Sequence, residues 1–194
     1  TVSFFGAYLN AALENQVFGR PTLAITFGHN KDHRPDLKQL LFILTVTADG
    51  GVPLHFRAQS GNVTDDVTHR DTWDLLCQLT GRRDFLYVAD SKLATRENMA
   101  YLHQRQGRFI TVLPKTRSED AAFRSLVSRE QVTWRLLWEK TDEDGEMIDV
   151  YSVSDRPVGT AEGYRLMWYH SRRKAELDAI ARAGRIERAV KGLA

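Results

Sequence analysis

Short apolar runs, some continuous and some alternating with polar residues, mark the first two thirds of the chain. Residues 39–47 are rich in branched and apolar side chains, end at the turn Asp49-Gly50-Gly51, and are followed by a second such run at 52–57, a pattern typical of a β hairpin. Apolar residues near helical spacing predict helices over 65–79 and 95–105. Further short strands are predicted at 1–5, 22–27, 85–89 and 108–113. This order of elements predicts an α/β fold built on a mixed sheet.

The pattern changes in the last third of the chain. Residues 132–139 alternate, an acidic turn follows at 141–145, and 147–153 alternate again, which predicts a second hairpin. Trp134 and Trp138 within it would also suit one face of a helix. From 171 to 193 the chain reads as a basic helix with an apolar stripe.

Composition narrows the class of protein. The 194 residues are 42% hydrophobic and 27% charged, as in soluble globular proteins. The single Cys77 excludes an intrachain disulfide and a multi-cysteine zinc site, which suits a reducing compartment. The longest apolar run, 40–46, is far shorter than the ~20 residues that span a bilayer. We therefore expect a cytoplasmic protein without a membrane segment, and we interpret the opening residues as a cut end of a longer protein.

Charge is segregated along the chain although the formal net charge is only +2. Residues 82–117 hold eight basic and three acidic side chains, and 165–191 repeat that ratio. Residues 139–149 hold six acids and one Lys. Basic regions of this kind are either solvated helix faces or a binding surface for a polyanion.

Few residues have the spacing of a known chemical site. His29 and His33 lie in a predicted loop, and Cys77 lies among leucines, so neither predicts a metal or nucleophile site. Asp90 ends a predicted buried strand. A carboxylate held there either caps a turn or binds a hard cation such as Mg²⁺, which takes one or two protein carboxylates together with phosphate oxygens and water.

Three sequence motifs decide between these two interpretations of Asp90, because together they resemble the motifs of a known protein family. They are the run from Gly28 through Lys31-Asp32 to Gln39, the stretch 61–65 (Gly-Asn-Val-Thr-Asp), and 88–90 (Val-Ala-Asp) followed by 96–98 (Arg-Glu-Asn). In this order and spacing the chain resembles bacterial insertion-sequence transposases of the DDE type over nearly its whole length. It departs from the family's usual pattern at Ser91-Lys92, where Arg-Gly is common, and at His29-Asn30.

The resemblance implies a ribonuclease H-like catalytic core in which two Asp and one Glu hold two divalent ions, Mg²⁺ or alternatively Mn²⁺. It implies that Asp90 is the second acid and that the first lies immediately before Thr1. The third acid is either Glu176, which follows Tyr169 and Arg172 at the family's spacing, or a Glu beyond Ala194, which we favour. The implied organisation is an incomplete core over 1–118, a β-rich insertion over 119–170 and a basic helix over 171–194 leading towards the rest of the core.

The implied partner is double-stranded DNA, at the ends of the element and at its target. Basic side chains near the motifs would contact DNA phosphates. The alternative interpretation of each is a solvated surface charge. These residues are Lys31, Arg34, Lys38, Lys92, Arg96, Lys115 and Arg117. The full-length protein is expected to act as a homodimer at the bacterial nucleoid, cutting DNA and transferring strands. The alternatives are a catalytically inactive DNA-binding remnant or transposition inhibitor, and a related nuclease unconnected to mobile elements.

Overall fold

The computed structural model describes residues 2–4, 16–17, 20–21, 23–28, 34–154 and 159–192, with side chains from residue 23 onward. It confirms a mixed α/β protein. The chain forms two compact units, Thr1–Leu113 and Pro114–Ala194. None of the helices in the described part of the chain combines the length and apolar character needed to cross a membrane.

Within the described ranges, the elements of the first unit are strands before residue 60, and helix and strand alternate afterwards. In chain order they are β1 (Val2–Phe4), β2 (Gln16–Val17), β3 (Arg20–Pro21), β4 (Thr26–Phe27), β5 (Lys38–Val46), β6 (Pro53–Ser60), a 3-10 turn (Asp65–Val67), α1 (Thr68–Thr80), β7 (Leu86–Val88), α2 (Arg96–Gln104) and β8 (Arg108–Ile110). The second unit contains α3 (Ser118–Ser128), β9 (Arg135–Thr141), β10 (Met147–Ser154), β11 (Trp168–Ser171) and α4 (Arg172–Lys191).

Strand β5 is the centre of the main sheet. It pairs antiparallel with β6 from Leu40 to Val46, which confirms the predicted hairpin. Gly50 and Gly51 in the connecting turn have φ angles of 131° and 67°, a region that L side chains rarely adopt. β1 pairs antiparallel with Lys38–Leu40, and β4 with Lys38 and Gln39. Of the strand predicted at 22–27, the described residues 23–27 form a strand at Thr26–Phe27.

Strands β7 and β8 form a separate parallel pair, with Tyr87 opposite Phe109. A parallel pair needs a crossover connection, and α2 supplies it. The Thr95 hydroxyl caps α2 by accepting a hydrogen bond from the Asn98 amide at 3.1 Å. The hydrophobic core of this unit packs α1 and α2 against β7 and consists of Trp73, Leu76, Tyr87, Leu93 and Leu102.

The second unit is built on the antiparallel sheet β11-β10-β9. The predicted hairpin is confirmed, although Trp134 precedes β9 and contacts Phe123 of α3. Phe123 also stacks on Trp168 of β11, with ring centroids 3.9 Å apart and 7° between the planes. The sequence patterns did not predict α3 or β11. The predicted basic helix is confirmed as α4, and all of its described side chains are at least partly exposed.

The junction between β11 and α4 is fixed by a buried carboxylate. Ser171 is both the last residue of β11 and the N-cap of α4. Asp149 on β10 accepts hydrogen bonds from the Ser171 hydroxyl at 2.6 Å and from the Arg173 amide at 2.9 Å. Its negative charge therefore lies at the positive end of the α4 dipole, where it stabilises the helix start.

Asp149 should make the stability of the protein acid-sensitive. Burial alone would raise its pKa, but hydrogen bonds from Ser171, the Arg173 amide and the Val150 amide lower the pKa to about 2. A carboxyl with a folded pKa below its unfolded value of about 3.9 contributes stability above that value and loses it as the pH falls towards 2. We expect Asp149→Asn to lower the free energy of unfolding at pH 7 and to reduce the loss of stability between pH 4 and 2.

Urea unfolding of both proteins across this pH range measures the effect. Asp144→Asn, in the exposed turn between β9 and β10, is the matched control and should leave the pH dependence unchanged. If the wild-type and Asp149→Asn curves ran parallel through acid, the Asp149 carboxylate would not be a source of the acid sensitivity.

Candidate functional site

Asp90 lies two residues beyond the end of β7, with its side chain exposed. The backbone around it is held in place: the Ala89 amide donates to the Ile110 carbonyl at 3.1 Å, and the Asp90 carbonyl accepts from the Leu93 amide at 3.1 Å and the Thr111 hydroxyl at 2.5 Å. One carboxylate oxygen accepts from the Lys92 amide at 2.9 Å. The turn therefore presents a carboxylate to solvent from a fixed backbone.

A histidine and a tyrosine lie within electrostatic range of Asp90. His69 Nδ1 and the Tyr87 hydroxyl are 3.1 Å apart and share a hydrogen bond. Burial, with the nearby Asp90 charge, raises the pKa of Tyr87 to about 12. Burial lowers the pKa of His69, and the charges of Asp90, Asp65 and Asp66 oppose that shift. Burial therefore favours the neutral form of this imidazole, and the three carboxylates favour its charged form.

These residues border a cavity of about 680 Å³ in the first unit. Its walls are β5, one side of α1 and the segment from Phe85 to Asp90. Asp65, His69 and Asp90 all line it, so the carboxylate beyond the end of β7 borders the cavity together with a second carboxylate and an imidazole.

The donors around Asp90 determine which metal chemistry this site can support. Within the described ranges, no three His, Cys, Asp or Glu side chains are grouped closely enough to hold a metal ion. Mg²⁺ binds through as few as one or two protein carboxylates, with phosphate oxygens and water completing its shell. Asp90 fits one such ligand. The remaining oxygens would have to come from substrate, from water or from residues outside the described ranges.

Four of the basic residues predicted from sequence, Arg34, Lys38, Lys92 and Arg96, are described and lie in the same unit as Asp90. Lys92 is exposed. Its charge acts on Asp66, whose pKa is lowered by a hydrogen bond from Thr64 and also by the nearby Lys92. Arg96 is the exposed first residue of α2. Lys38 begins β5, with Nζ 5.8 Å from the centre of the Phe27 ring. Lys92 and Arg96 therefore lie close to Asp90 along the chain, on the turn and helix that follow it.

Arg34 is exposed and forms an ion pair with Asp36, with bonds of 2.6 and 2.8 Å. Exposed pairs of this kind contribute little to stability, so a phosphate could replace the carboxylate at small cost. Lys31 lies outside the described residues.

Lys115 and Arg117 belong to the second unit. Lys115 is exposed. The Arg117 side chain is only 16% exposed and binds Glu119 at 2.8 Å and Glu162 at 2.6 Å. Both carboxylates raise the pKa of Arg117, and Arg117 in turn lowers the pKa of each Glu to about 2. We therefore assign Arg117 a structural role and remove it from the proposed DNA-binding set.

Glu176, one of the two alternatives for a third acid, is exposed on α4 and pairs with Arg172 at 3.1 Å. It belongs to the second unit, whereas Asp90 belongs to the first.

Sequence reasoning missed His69 and Tyr87, which share the cavity with Asp90. His69 follows the Gly61-Asn62-Val63-Thr64-Asp65 motif by four residues, at the start of a predicted helix. Its position close to the 61–65 stretch was the available signal. The Tyr87 contact could not be predicted, because it depends on how α1 packs on β7.

Comparison of the chain with protein-family models, with curated proteins and with solved structures gives no match.

Proposed function

We propose that this chain is part of the catalytic core of a bacterial insertion-sequence transposase of the DDE type, with a ribonuclease H-like fold. The observation that carries the proposal is Asp90, an exposed carboxylate fixed at the end of a parallel strand inside the Val88-Ala89-Asp90 motif. Its role would be that of the second metal-binding acid. The motif resemblance supplies the family, and the geometry supports the role of this residue.

The arrangement of strands agrees with that proposal. A ribonuclease H-like core combines an antiparallel set of strands with parallel strands joined by a helix. Here β1, β5 and β6 are antiparallel neighbours, and β7 and β8 are parallel and joined by α2. These pairings support the fold assignment.

When bound, Mg²⁺ would supply the activation of water or of a DNA 3′ hydroxyl and the stabilisation of the leaving oxygen in phosphoryl transfer. This chain's own residues would do the binding. Asp90 would offer a carboxylate oxygen to the ion, while Lys92 and Arg96 would attract the DNA phosphates to the same end of β7.

The test is a strand-cleavage assay on the protein that carries this chain with its native flanking sequence. A supercoiled plasmid bearing the ends of the element is the substrate, with Mg²⁺, Mn²⁺ or a chelator added. We expect nicking with either ion and none with the chelator. Undiminished nicking in the chelator would contradict the proposed chemistry.

Lys92 and Arg96 should contribute to DNA affinity without any metal. Removing both with Lys92→Ala and Arg96→Ala should weaken binding and lower the slope of log K against log salt by about one for each phosphate that is no longer neutralised. Titration of the chain with a fluorescent duplex at several salt concentrations measures both quantities.

Arg82→Ala is the matched control for this titration. Arg82 lies before β7 rather than after it and is held by Asp84 at 2.8 Å. It should therefore leave the salt slope nearly unchanged. An equal loss of affinity per charge removed in the control would show that the basic residues act only through net charge.

A second candidate function is a catalytically inactive DNA-binding remnant or transposition inhibitor. The observation that favours it is the lack of a three-ligand group within the described part of the chain. It shares the salt-dependent DNA binding but predicts no metal-dependent nicking. The two assays together therefore separate the candidates.

A further inference from the structure

Two buried side-chain amides join the three sequence motifs at one place in the first unit. Gln39 ends the first motif and is 3% exposed, and Asn98 ends the third motif and is 2% exposed. Each donates a hydrogen bond to a backbone carbonyl of the segment 61–66, which contains the second motif. The bonded residues are 22 and 32 positions apart in sequence, so only the fold brings them together.

Gln39 holds the start of the segment. Its Nε2 donates to the Gly61 carbonyl at 2.7 Å, and the Gly61 amide donates to the Ala24 carbonyl at 3.0 Å. The backbones are also in close contact. A Cβ at Gly28 would collide with the Gly61 carbonyl oxygen, and a Cβ at Gly61 would collide with the Gln39 carbonyl oxygen. The start of the segment is therefore fixed against β5.

Asn98 holds the end of the segment. Its Nδ2 donates to the Asp66 carbonyl at 2.7 Å, and its Oδ1 accepts from Arg70 Nε at 3.0 Å. The Thr68 hydroxyl adds a hydrogen bond to the Asp65 carbonyl at 2.7 Å. The turn that carries Asp65 and Asp66 is therefore tied to both α1 and α2.

The segment brings two carboxylates close to the end of β7 where Asp90 lies. Asp65 borders the same cavity as Asp90. Asp66 lies within electrostatic range of Lys92, and both carboxylates act on His69 together with Asp90. The position of the segment therefore sets how much negative charge surrounds this end of the strand.

We propose that Gln39 and Asn98 are positioning residues for the Asp90 site. Their amides hold the two ends of the segment, so that Asp65 and Asp66 stay near Asp90 and strengthen the negative potential that attracts a divalent cation to it. Neither amide is a metal ligand or a catalytic group in this proposal. The statement about the cation rests on the proposed function, whereas the statement about the segment does not.

Apolar substitutions of similar size remove each anchor without adding charge. Gln39→Met removes only the bond to the segment, because no described atom donates to Gln39 Oε1. Asn98→Leu removes the bond to the segment and the bond from Arg70, and Arg70→Met removes only the latter. Gln104→Met, at the exposed last residue of α2, is the matched control.

Amide hydrogen exchange of the chain is the first measurement. The Gly61 and Val63 amides donate hydrogen bonds at the start of the segment, and the Thr68 amide donates one at its end. We expect Gln39→Met to speed exchange of the first two amides by about tenfold, and Asn98→Leu that of the third. Each variant should affect its own end most, because local release is confined to one end whereas general destabilisation accelerates exchange at both.

His69 reports where the carboxylates lie. Burial lowers its pKa, and the charges of Asp90 and of the two carboxylates of the segment oppose that shift. Release of the segment by Asn98→Leu should therefore lower the pKa of His69 in an NMR titration. Gln104→Met should leave that pKa unchanged, and Arg70→Met should have a smaller effect than Asn98→Leu.

The nicking assay on the protein with its native flanking sequence tests the statement about the cation. Asn98→Leu should raise the Mg²⁺ concentration for half-maximal nicking by about threefold or more, and saturating Mg²⁺ should restore most of the rate. Gln39→Met should shift it in the same direction, so the test does not depend on one variant folding. Gln104→Met should leave it unchanged.

The outcomes separate this proposal from the proposed function. Unchanged exchange and an unchanged His69 titration in folded Asn98→Leu would overturn the positioning role, even if nicking fell. A loss of nicking that saturating Mg²⁺ does not restore would overturn the statement about the cation. Absence of nicking by the wild type would contradict the proposed function, while the exchange and titration results would still decide whether the two amides hold the segment.

Discussion

Replacing Asp90 by Asn should reduce Mg²⁺-dependent strand cleavage by at least about 10³-fold, because a metal ion in phosphoryl transfer supplies several kcal/mol of transition-state stabilisation. The substitution keeps the size of the side chain and an oxygen that can accept the Lys92 amide bond. The turn should therefore remain folded while the charge that attracts the ion is lost. The cleavage assay measures this loss in the protein with its native flanking sequence.

Two further readouts separate a lost ligand from a damaged fold. DNA binding at a fixed salt concentration should be unchanged or stronger, since a negative charge near the phosphates has been removed. The pKa of His69, followed by NMR, should fall, because the Asp90 charge raises it in the wild type. Asp49→Asn, in the exposed β5–β6 turn, is the control and should cleave normally. Full cleavage by Asp90→Asn would exclude this residue as a metal ligand.

Trp73→Ala should destabilise the protein by about 3–5 kcal/mol, a large part of the stability of an ordinary domain. Trp73 is 1% exposed and packs against Phe85 and edge-on against Tyr101. No described atom accepts a hydrogen bond from its indole nitrogen, so the ring contributes through packing alone. Gly107 fits against this ring so closely that a Cβ there would lie 2.9 Å from it. Urea unfolding followed by far-UV circular dichroism measures the change.

Trp138→Ala is the matched control for the same change of side chain. Trp138 is 56% exposed on β9 and stacks on Tyr151 with centroids 5.4 Å apart. Its loss should cost no more than about 1.5 kcal/mol, the upper range for an aromatic pair. Equal losses from the two substitutions would mean that burial of Trp73 is not the main source of its contribution.

The parts of the fold that could be predicted are those governed by local pattern. The β5–β6 hairpin follows from two apolar runs around Asp49-Gly50-Gly51, and α2 and α4 follow from helical spacing. β11 could not be predicted in this way. It has four residues and exists because Tyr151–Ser154 of β10 pair with it. α3 has acidic residues in its first turn, but its apolar stripe is short and only Phe123 is buried.

The candidate site likewise has features that could be predicted from local sequence and features that could not. Asp90 could be placed at a strand end from its sequence neighbours, and the structure gives it that position. The structural role of Arg117 could not be predicted, because it depends on a carboxylate that is distant in sequence. Arg117 meets Glu162, 45 residues away in sequence. The role of Asp149 could not be predicted for the same reason. It lies in an acidic stretch, but its carboxylate accepts a hydrogen bond from the Arg173 amide at the start of α4, 24 residues later.

The direct passage from β11 into α4 has a consequence for insertions and deletions. Because Ser171 ends the strand and begins the helix, the number of residues at this point sets the phase of α4 relative to the sheet. One extra residue would rotate the helix by about 100° and turn its arginines and lysines to another side, with the pairing of β10 and β11 intact. Substitutions here weaken the helix start, whereas a change of length redirects the whole basic surface. Natural variants should therefore differ at this junction in side chains and not in length.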